Sequence, residues 1–178
     1  MATPPAGPLS IRRAVPYDLP VIDAIINEAA QAYRGVIPAD CWHEPYMPRD
    51  ELEREIAAGV AFFLLEQESQ VAGVMGIQDK GDVALVRHAY VAPQMQRQGV
   101  GRRLLRHLEN LTDKPMLIGT WAAASWAIDF YVRNGFTVVS KDEKERLLRK
   151  YWSIPDRQIE TSVVLADRRW LARRGGDL

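Results

Sequence analysis

The stretch Gln96-Arg97-Gln98-Gly99-Val100-Gly101-Arg102 separates an apolar run, Val83 to Pro93, from an amphipathic run, Val100 to Leu111. A chain with this order passes from a strand through a basic, glycine-containing turn into a helix. Along that helix Val100, Leu104, Leu105, Leu108 and Leu111 recur at the spacing of one inward face, with Arg102, Arg103, Arg106 and Glu109 facing outward. Glycine lets main chain approach a ligand closely, and the first N–H groups of a helix have no partner within it, so the turn suits an anion. A phosphate-bearing ligand is the natural occupant. An ordinary strand-to-helix turn is the alternative, and the rest of the chain discriminates between them.

At 178 residues the chain is long enough for one domain with a real core. Its 23 basic and 23 acidic side chains balance, so charge predicts neither nucleic-acid binding nor membrane attraction. The single cysteine, Cys41, excludes an internal disulfide and reads as a small buried hydrophobe. No apolar run approaches the ~20 residues that span a bilayer. Residues 1–8 carry no basic-then-apolar signal pattern and read as a loose arm, so cytoplasm is the expected compartment. No Cys/His cluster calls for a metal.

Taken in order, Leu9 to Val15 reads as a strand. Asp18 stands where it can cap a helix carrying Ile22, Ile25, Ile26 and Ala29 on one face. Residues 35–48 form a long connection rich in proline and aromatics. Asp50 to Ala58 is a second helix, stopped by Gly59. Val60–Glu66 and Val71–Ile77 are apolar strands whose short polar link suits an antiparallel hairpin. Val83–Val91 is the strand before the basic turn, and Pro115–Trp121 the strand after its helix. Ser125 can cap a helix ending at Gly135, Phe136–Val139 is strand-like, and Ser140 with Glu143 forms a capping box for the next helix, which Pro155 breaks. Thr161–Ala166 is a last strand, and residues 167–178 form a basic tail whose arginines Arg168, Arg169, Arg173 and Arg174 read as solvated. The order β-α-α-β-β-β-α-β-α-β-α-β implies an α/β fold: a mixed sheet of about seven strands with helices on its faces, spanning residues 9–166.

Three segments in this order resemble the GCN5-related N-acetyltransferase family. Gln96-x-x-Gly99-x-Gly101 matches its Q/R-x-x-G-x-G/A acyl-CoA signature, Ala89-Tyr90-Val91-Ala92-Pro93 is similar to its preceding strand end, and Phe130-Tyr131-Val132-Arg133-Asn134-Gly135-Phe136 is similar to its later F/L-Y-x-x-x-G-F segment. The resemblance covers roughly Ile11 to Val139 and implies a mostly antiparallel sheet and acetyl transfer from acetyl-CoA, with no metal, to a primary amine. It implies that Ala89, Tyr90 and Val91 bond the pantetheine arm through main chain. Gln96, Arg97, Gln98, Gly99, Val100, Gly101 and Arg102 would hold the pyrophosphate, and Tyr131 would protonate the leaving thiolate. The chemistry independently asks for a free-base amine, a polarised thioester carbonyl and a proton for sulfur.

The sequence also departs from the family pattern. Ala124 stands where many members carry an asparagine that bonds pantetheine; its neighbour Ser125 is the candidate substitute. Leu85 stands at the usual position of a glutamate base, and Gly119 at another. On the central strand His88 is then the candidate base, by the near-neutral titration of imidazole, against a structural half-buried histidine. Arg87 suits an acidic acceptor or a polarised carbonyl. Trp42, His43, Tyr46 and Trp121 either shape an acceptor pocket or pin the long loop to the core. The competing function is a non-catalytic acyl-CoA-binding sensor; O-acyl transfer needs a stronger base than these residues offer. The segment beyond the last common element either completes the sheet or pairs with another subunit, and a homodimer is the expected assembly.

Overall fold

The structure, a computed structural model, describes residues 7–175, so of the expected N-terminal arm only Gly7 and Pro8 fall within it. Its elements are β1 (Leu9–Arg13), α1 (Leu19–Ala29), α2 (Arg49–Ala57), β2 (Ala61–Gln67), β3 (Gln70–Asp79), β4 (Ala84–Val91), α3 (Val100–Glu109), β5 (Met116–Trp121), α4 (Ser125–Arg133), β6 (Thr137–Val138), α5 (Lys141–Tyr151), α6 (Asp156–Glu160), β7 (Ser162–Ala166) and α7 (Arg168–Gly175). The seven strands form one mixed sheet in the order β1-β2-β3-β4-β5-β7-β6. Pairs β1–β2, β2–β3, β5–β7 and β6–β7 are antiparallel, and β4–β5 is parallel. Contacts divide the chain into two interleaved units. One comprises the residues up to Gln31, Pro45–Ile77 and His88–Leu111; the other comprises Ala32–Glu44, Gln78–Arg87 and the residues from Thr112 on.

The first unit is built on the β2–β3 hairpin. Its two-residue turn, Glu68 and Ser69, takes positive φ at both positions (51° and 65°), the primed geometry whose twist matches that of paired strands. Ile22, Ile25 and Ile26 of α1 are buried with Phe62, Leu64, Val74 and Leu52, each side chain contributing roughly 1.5–3 kcal/mol of transfer free energy. Helix α3 lies very close to β3: a β-carbon on Gly73 would sit 2.8 Å from Val100 Cγ1 and 3.1 Å from the Tyr90 carbonyl. Only glycine permits that approach. The α3 face follows the sequence pattern through Leu108, but Leu111 is exposed, because the helix ends at Glu109 and the spacing lapses with it.

Asp18 is the residue before α1, yet its side chain does not cap the helix. Its carboxylate instead accepts from Arg12 Nη1 and Nη2 at 2.7 and 2.8 Å and from the Val15 N–H at 2.7 Å. Similarly Ala124, not Ser125, is the N-cap residue of α4; Ser125 is its first helical residue. Ser140 does cap α5, accepting from the Glu143 N–H at 3.3 Å.

The second unit packs α5, α6 and α7 with β4, β5 and β7 around Leu85, Leu117, Leu147, Leu148 and Val164. Of the expected basic tail, Arg168–Gly175 form α7, and residues 176–178 lie outside the described residues. Arg168, Arg173 and Arg174 are exposed as expected, but the helix is anchored by Trp170, which is buried and donates its indole N–H to Glu143 Oε1 at 2.9 Å. Arg169 bonds the carbonyls of Thr112 and Lys114, Arg173 bonds the carbonyl of Asp82, and Arg174 lies 2.8 Å from Glu143 Oε2. One apolar anchor on a helical face outweighs the hydrophilicity of its flanks, a signal that basic composition masks. Among the described residues no helix is long and apolar enough to cross a membrane.

Candidate functional site

The turn after β4 is shaped by two left-handed residues. A short 3-10 turn, Pro93–Met95, leads to Arg97 (φ 62°) and Gly99 (φ 78°), both left-handed, after which α3 starts at Val100. Gly99 supplies that conformation freely; Arg97 adopts it against a side-chain penalty of roughly 1–3 kcal/mol, a strain that clusters at binding sites. The first α3 amide to find an i−4 carbonyl is Arg103, bonding Gly99 O at 3.1 Å, so the amides before it face outward from the helix start. Gln96 and Gln98 turn their amides back to the carbonyls of Val91 and Gln94, at 3.5 and 3.4 Å. Arg97 and Arg102 are exposed beside them. Gln98 and Gly99 also border an open cavity of about 640 Å³, lined as well by Ile11, Leu65, Arg103 and Arg106.

Upstream, the parallel β4–β5 ladder pairs Ala84–Val86 with Met116–Ile118 and ends there. Ala89, Tyr90 and Val91 continue β4 beyond that last pair, half-buried. Between them lies His88, with φ 51° in mid-strand. Its ring stacks on Phe62 at 6.0 Å, and its Nε2 lies 3.4 Å from Oε2 of Glu55 in the last turn of α2. Arg87 is held differently, donating from Nη1 to the buried Gln78 Oε1 at 2.7 Å.

In the other unit, Tyr131 projects from α4 into an aromatic nest, edge-on to Phe130 at 5.1 Å and to Phe136 at 6.1 Å. The nest forms because Gly135, at φ 92°, ends α4 and reverses the chain so that Phe136 returns beneath the helix. Burial, reinforced by Tyr33, pushes the Tyr131 phenol well above its ordinary value, so it holds its proton throughout the neutral range.

Leu85 and Gly119, where the sequence lacks a glutamate, have different surroundings. Leu85 is fully buried in the core, while Gly119 lies against the indole of Trp152, whose Cζ2 would be 3.3 Å from an added β-carbon. Ala124 is completely buried and its neighbour Ser125 is exposed at the start of α4. Trp121 is buried at the end of β5, Trp42 is half-buried and His43 exposed, all three in the second unit; Tyr46, half-buried, belongs to the first. The loop carrying Trp42 contains a 3-10 turn, Ala39–Cys41, tied to α6 by Asp40 and Arg157 at 2.8 Å. Cys41 itself is half-buried rather than fully enclosed. Glu55 and Trp152 are the residues that sequence reading missed. Glu55 is one of several acidic residues on a charged helix, and Trp152 looked like one more inward residue of α5, so neither carried a local signal. Among the described residues no cluster of three or more His, Cys, Asp or Glu side chains could hold a metal ion.

Comparison with known families gives a match to the acetyltransferase (GNAT) domain over residues 26–149, more than half of the chain. The chain belongs to the GNAT acetyltransferase family. It is accordingly an acyltransferase. Comparison with curated protein sequences gives no match. Among solved structures it is similar to the PaiA N-acetyltransferase of Thermoplasma acidophilum in complex with coenzyme A, with TM-score 0.68 and 18% identity over 90% of this chain and 98% of that one. It is also similar to a GNAT-family acetyltransferase of Staphylococcus aureus Mu50, with TM-score 0.66 and 15% identity over 90% of this chain and 98% of that one. The ribosomal-protein-S18-alanine N-acetyltransferase of Escherichia coli shares the fold with TM-score 0.60 and 22% identity, over 90% and 93% of the two chains. At these identities the structural likeness establishes the fold of this GNAT domain.

Proposed function

We propose that this protein transfers an acetyl group from acetyl-CoA to a primary amine by direct attack in a ternary complex. The observation that carries the reading is the Gln96–Arg102 turn, where two left-handed residues deliver outward-facing amides and flanking arginines to the start of α3. Coenzyme A in the structure of the Thermoplasma relative supports acyl-CoA as the donor. The turn would bind the pyrophosphate through N–H groups, and the main chain of Ala89–Val91 would take the pantetheine.

In this mechanism His88 takes a proton from the acceptor ammonium, and the neutral amine forms the new C–N bond as the C–S bond breaks. Tyr131 donates to the departing sulfur. A phenol raised by burial is a weaker acid than the ~8.5 thiol it faces, so it acts foremost as a hydrogen-bond donor that stabilises developing thiolate. Arg87, held by Gln78, is a further candidate for orienting the acceptor, and Trp42, His43, Tyr46 and Trp121 for shaping its pocket. Ser125 is the candidate for the pantetheine contact that Ala124 cannot make.

Thiol release from acetyl-CoA, measured across a panel of amines, tests this function. Acceleration by at least one amine class is expected, and Tyr131→Phe should lower kcat by about ten- to a thousandfold with acetyl-CoA affinity retained. Tight CoA binding with no amine-dependent release would replace the enzyme with an acyl-CoA sensor.

A further inference from the structure

We infer that Glu55 is the positioning residue of the base: its carboxylate holds His88 as the Nε2–H tautomer and leaves Nδ1 as the atom that takes the acceptor's proton. The inference rests on the reading of His88 as the base and adds a residue to it that no motif supplies.

Four observations converge on this pair. Glu55 Oε2 lies 3.4 Å from His88 Nε2, and both side chains are largely shielded, 22% and 14% exposed. The imidazole stacks on Phe62 with 25° between the planes, which restrains ring rotation. Its main chain is fixed at φ 51°, a conformation that a β-strand residue adopts only when its surroundings impose it. Finally, Glu55 stands in the last turn of α2, so its carboxylate is presented from a regular helix rather than a loop.

The chemistry follows from donor counting. A neutral imidazole has one N–H, and an ionised carboxylate only accepts. The nitrogen beside Glu55 is therefore the one that carries hydrogen, and Nδ1 keeps the lone pair. A 3.4 Å separation is long for such a bond, as catalytic contacts commonly are before substrate tightens them. The groups facing the imidazole are Glu55 from α2 and Phe62 from β2, while the neighbouring cation Arg87 is turned to Gln78. The proton balance closes. The acceptor ammonium gives one proton to Nδ1, and the imidazolium so formed sits beside the Glu55 carboxylate. C–N formation and C–S cleavage then transfer a second nitrogen-bound proton to sulfur, whose developing charge takes a hydrogen bond from a donor, the role proposed for Tyr131. His88 returns its proton to solvent, so each turnover releases one proton.

Two measurements on the full-length protein test the inference. Nitrogen-15 spectra of its three histidines should show neutral His88 as a single Nε2–H tautomer in the wild type and relax in Glu55→Ala to the mixture of an unrestrained imidazole, in which Nε2–H is only the major form. A mixed tautomer in the wild type would overturn the pairing. This readout needs no turnover, so it decides the pairing even if no amine is ever acetylated, an outcome that would sink the enzyme reading alone. In kinetics, Glu55→Ala should lower kcat by about ten- to a hundredfold near neutrality, with KM for acetyl-CoA unchanged and partial rescue by Glu55→Asp. The deficit should shrink above the acceptor's own pKa, where the amine is already neutral. A deficit equal at every pH, or one carried wholly by KM, would assign Glu55 to structure. So would additive losses in the Glu55→Ala/His88→Ala double variant.

Discussion

The indole of Trp152 fills the space above Gly119, with Cζ2 3.3 Å and Cε2 3.4 Å from where a β-carbon would be. Trp152 follows directly on α5, so the approach couples the end of that helix to the face of β5. Gly119→Ala should therefore destabilise by overpacking, by about 1–3 kcal/mol in urea melts, unless the indole yields a few tenths of an ångström. Gly119→Glu should cost more and restore no base function. An unchanged Gly119→Glu melt would mean that the indole moves freely, and with it that the family position remains open.

Gly99 separates strain from charge. Nothing lies within 4 Å of an added β-carbon there, so Gly99→Ala is penalised only through its φ of 78°, by about 1–2 kcal/mol of stability. Asp tolerates the left-handed region better, yet places a carboxylate where the pyrophosphate is proposed to bind. Like charges about 4 Å apart repel by roughly 1–4 kcal/mol in watery surroundings, so Gly99→Asp should weaken CoA binding about tenfold or more. Calorimetric titration of both variants checks this; equal CoA affinity for wild type and Gly99→Asp would remove the turn from the binding site.

Asp18 should give the first unit an acid-sensitive latch. Hydrogen bonds from Arg12 hold its carboxyl below the usual carboxylate range, helped by the Val15 N–H and the Arg12 charge and opposed by burial. A carboxyl with a lowered folded-state pKa binds protons more weakly when folded. Its stabilisation is thus complete above the unfolded value of about 4 and is lost as pH falls through the folded value. Arg12 is 40% exposed, so the loss on Asp18→Asn should lie at the low end of about 1–3 kcal/mol. Stability measured against pH should show a flatter acid limb in the variant; superimposable limbs would assign acid unfolding to other groups.

Trp170 should prove integral to the second unit. Trp170→Ala removes a large buried side chain and should cost about 3–5 kcal/mol. Trp170→Phe keeps most of the ring and isolates the indole bond to the buried Glu143, a loss of about 1–3 kcal/mol. If denaturant melts of both variants match the wild type, α7 is peripheral to the fold.

These residues also mark how far the sequence could be read. It determined what local chemistry determines: the apolar faces of α1 and α3, the β2–β3 hairpin, the glycine stops at Gly59 and Gly135, the Ser140 cap, and the Gln96–Arg102 turn with the family it announces. All depend on residues within a few positions of one another, where spacing and φ preference act directly. What only the tertiary structure decided are meetings between distant positions. Asp18 lies where a cap belongs, but Arg12 and the Val15 amide claim its carboxylate. The C-terminal arginines look like a plain basic tail, and three of them are exposed, but Trp170 between them finds Glu143. Gly119 looks like an empty base position until Trp152 covers it, and His88 acquires a carboxylate partner only because the fold brings the last turn of α2 to β4. Each is settled by a contact energy that exists once the chain has closed on itself, and no periodicity in the sequence records it.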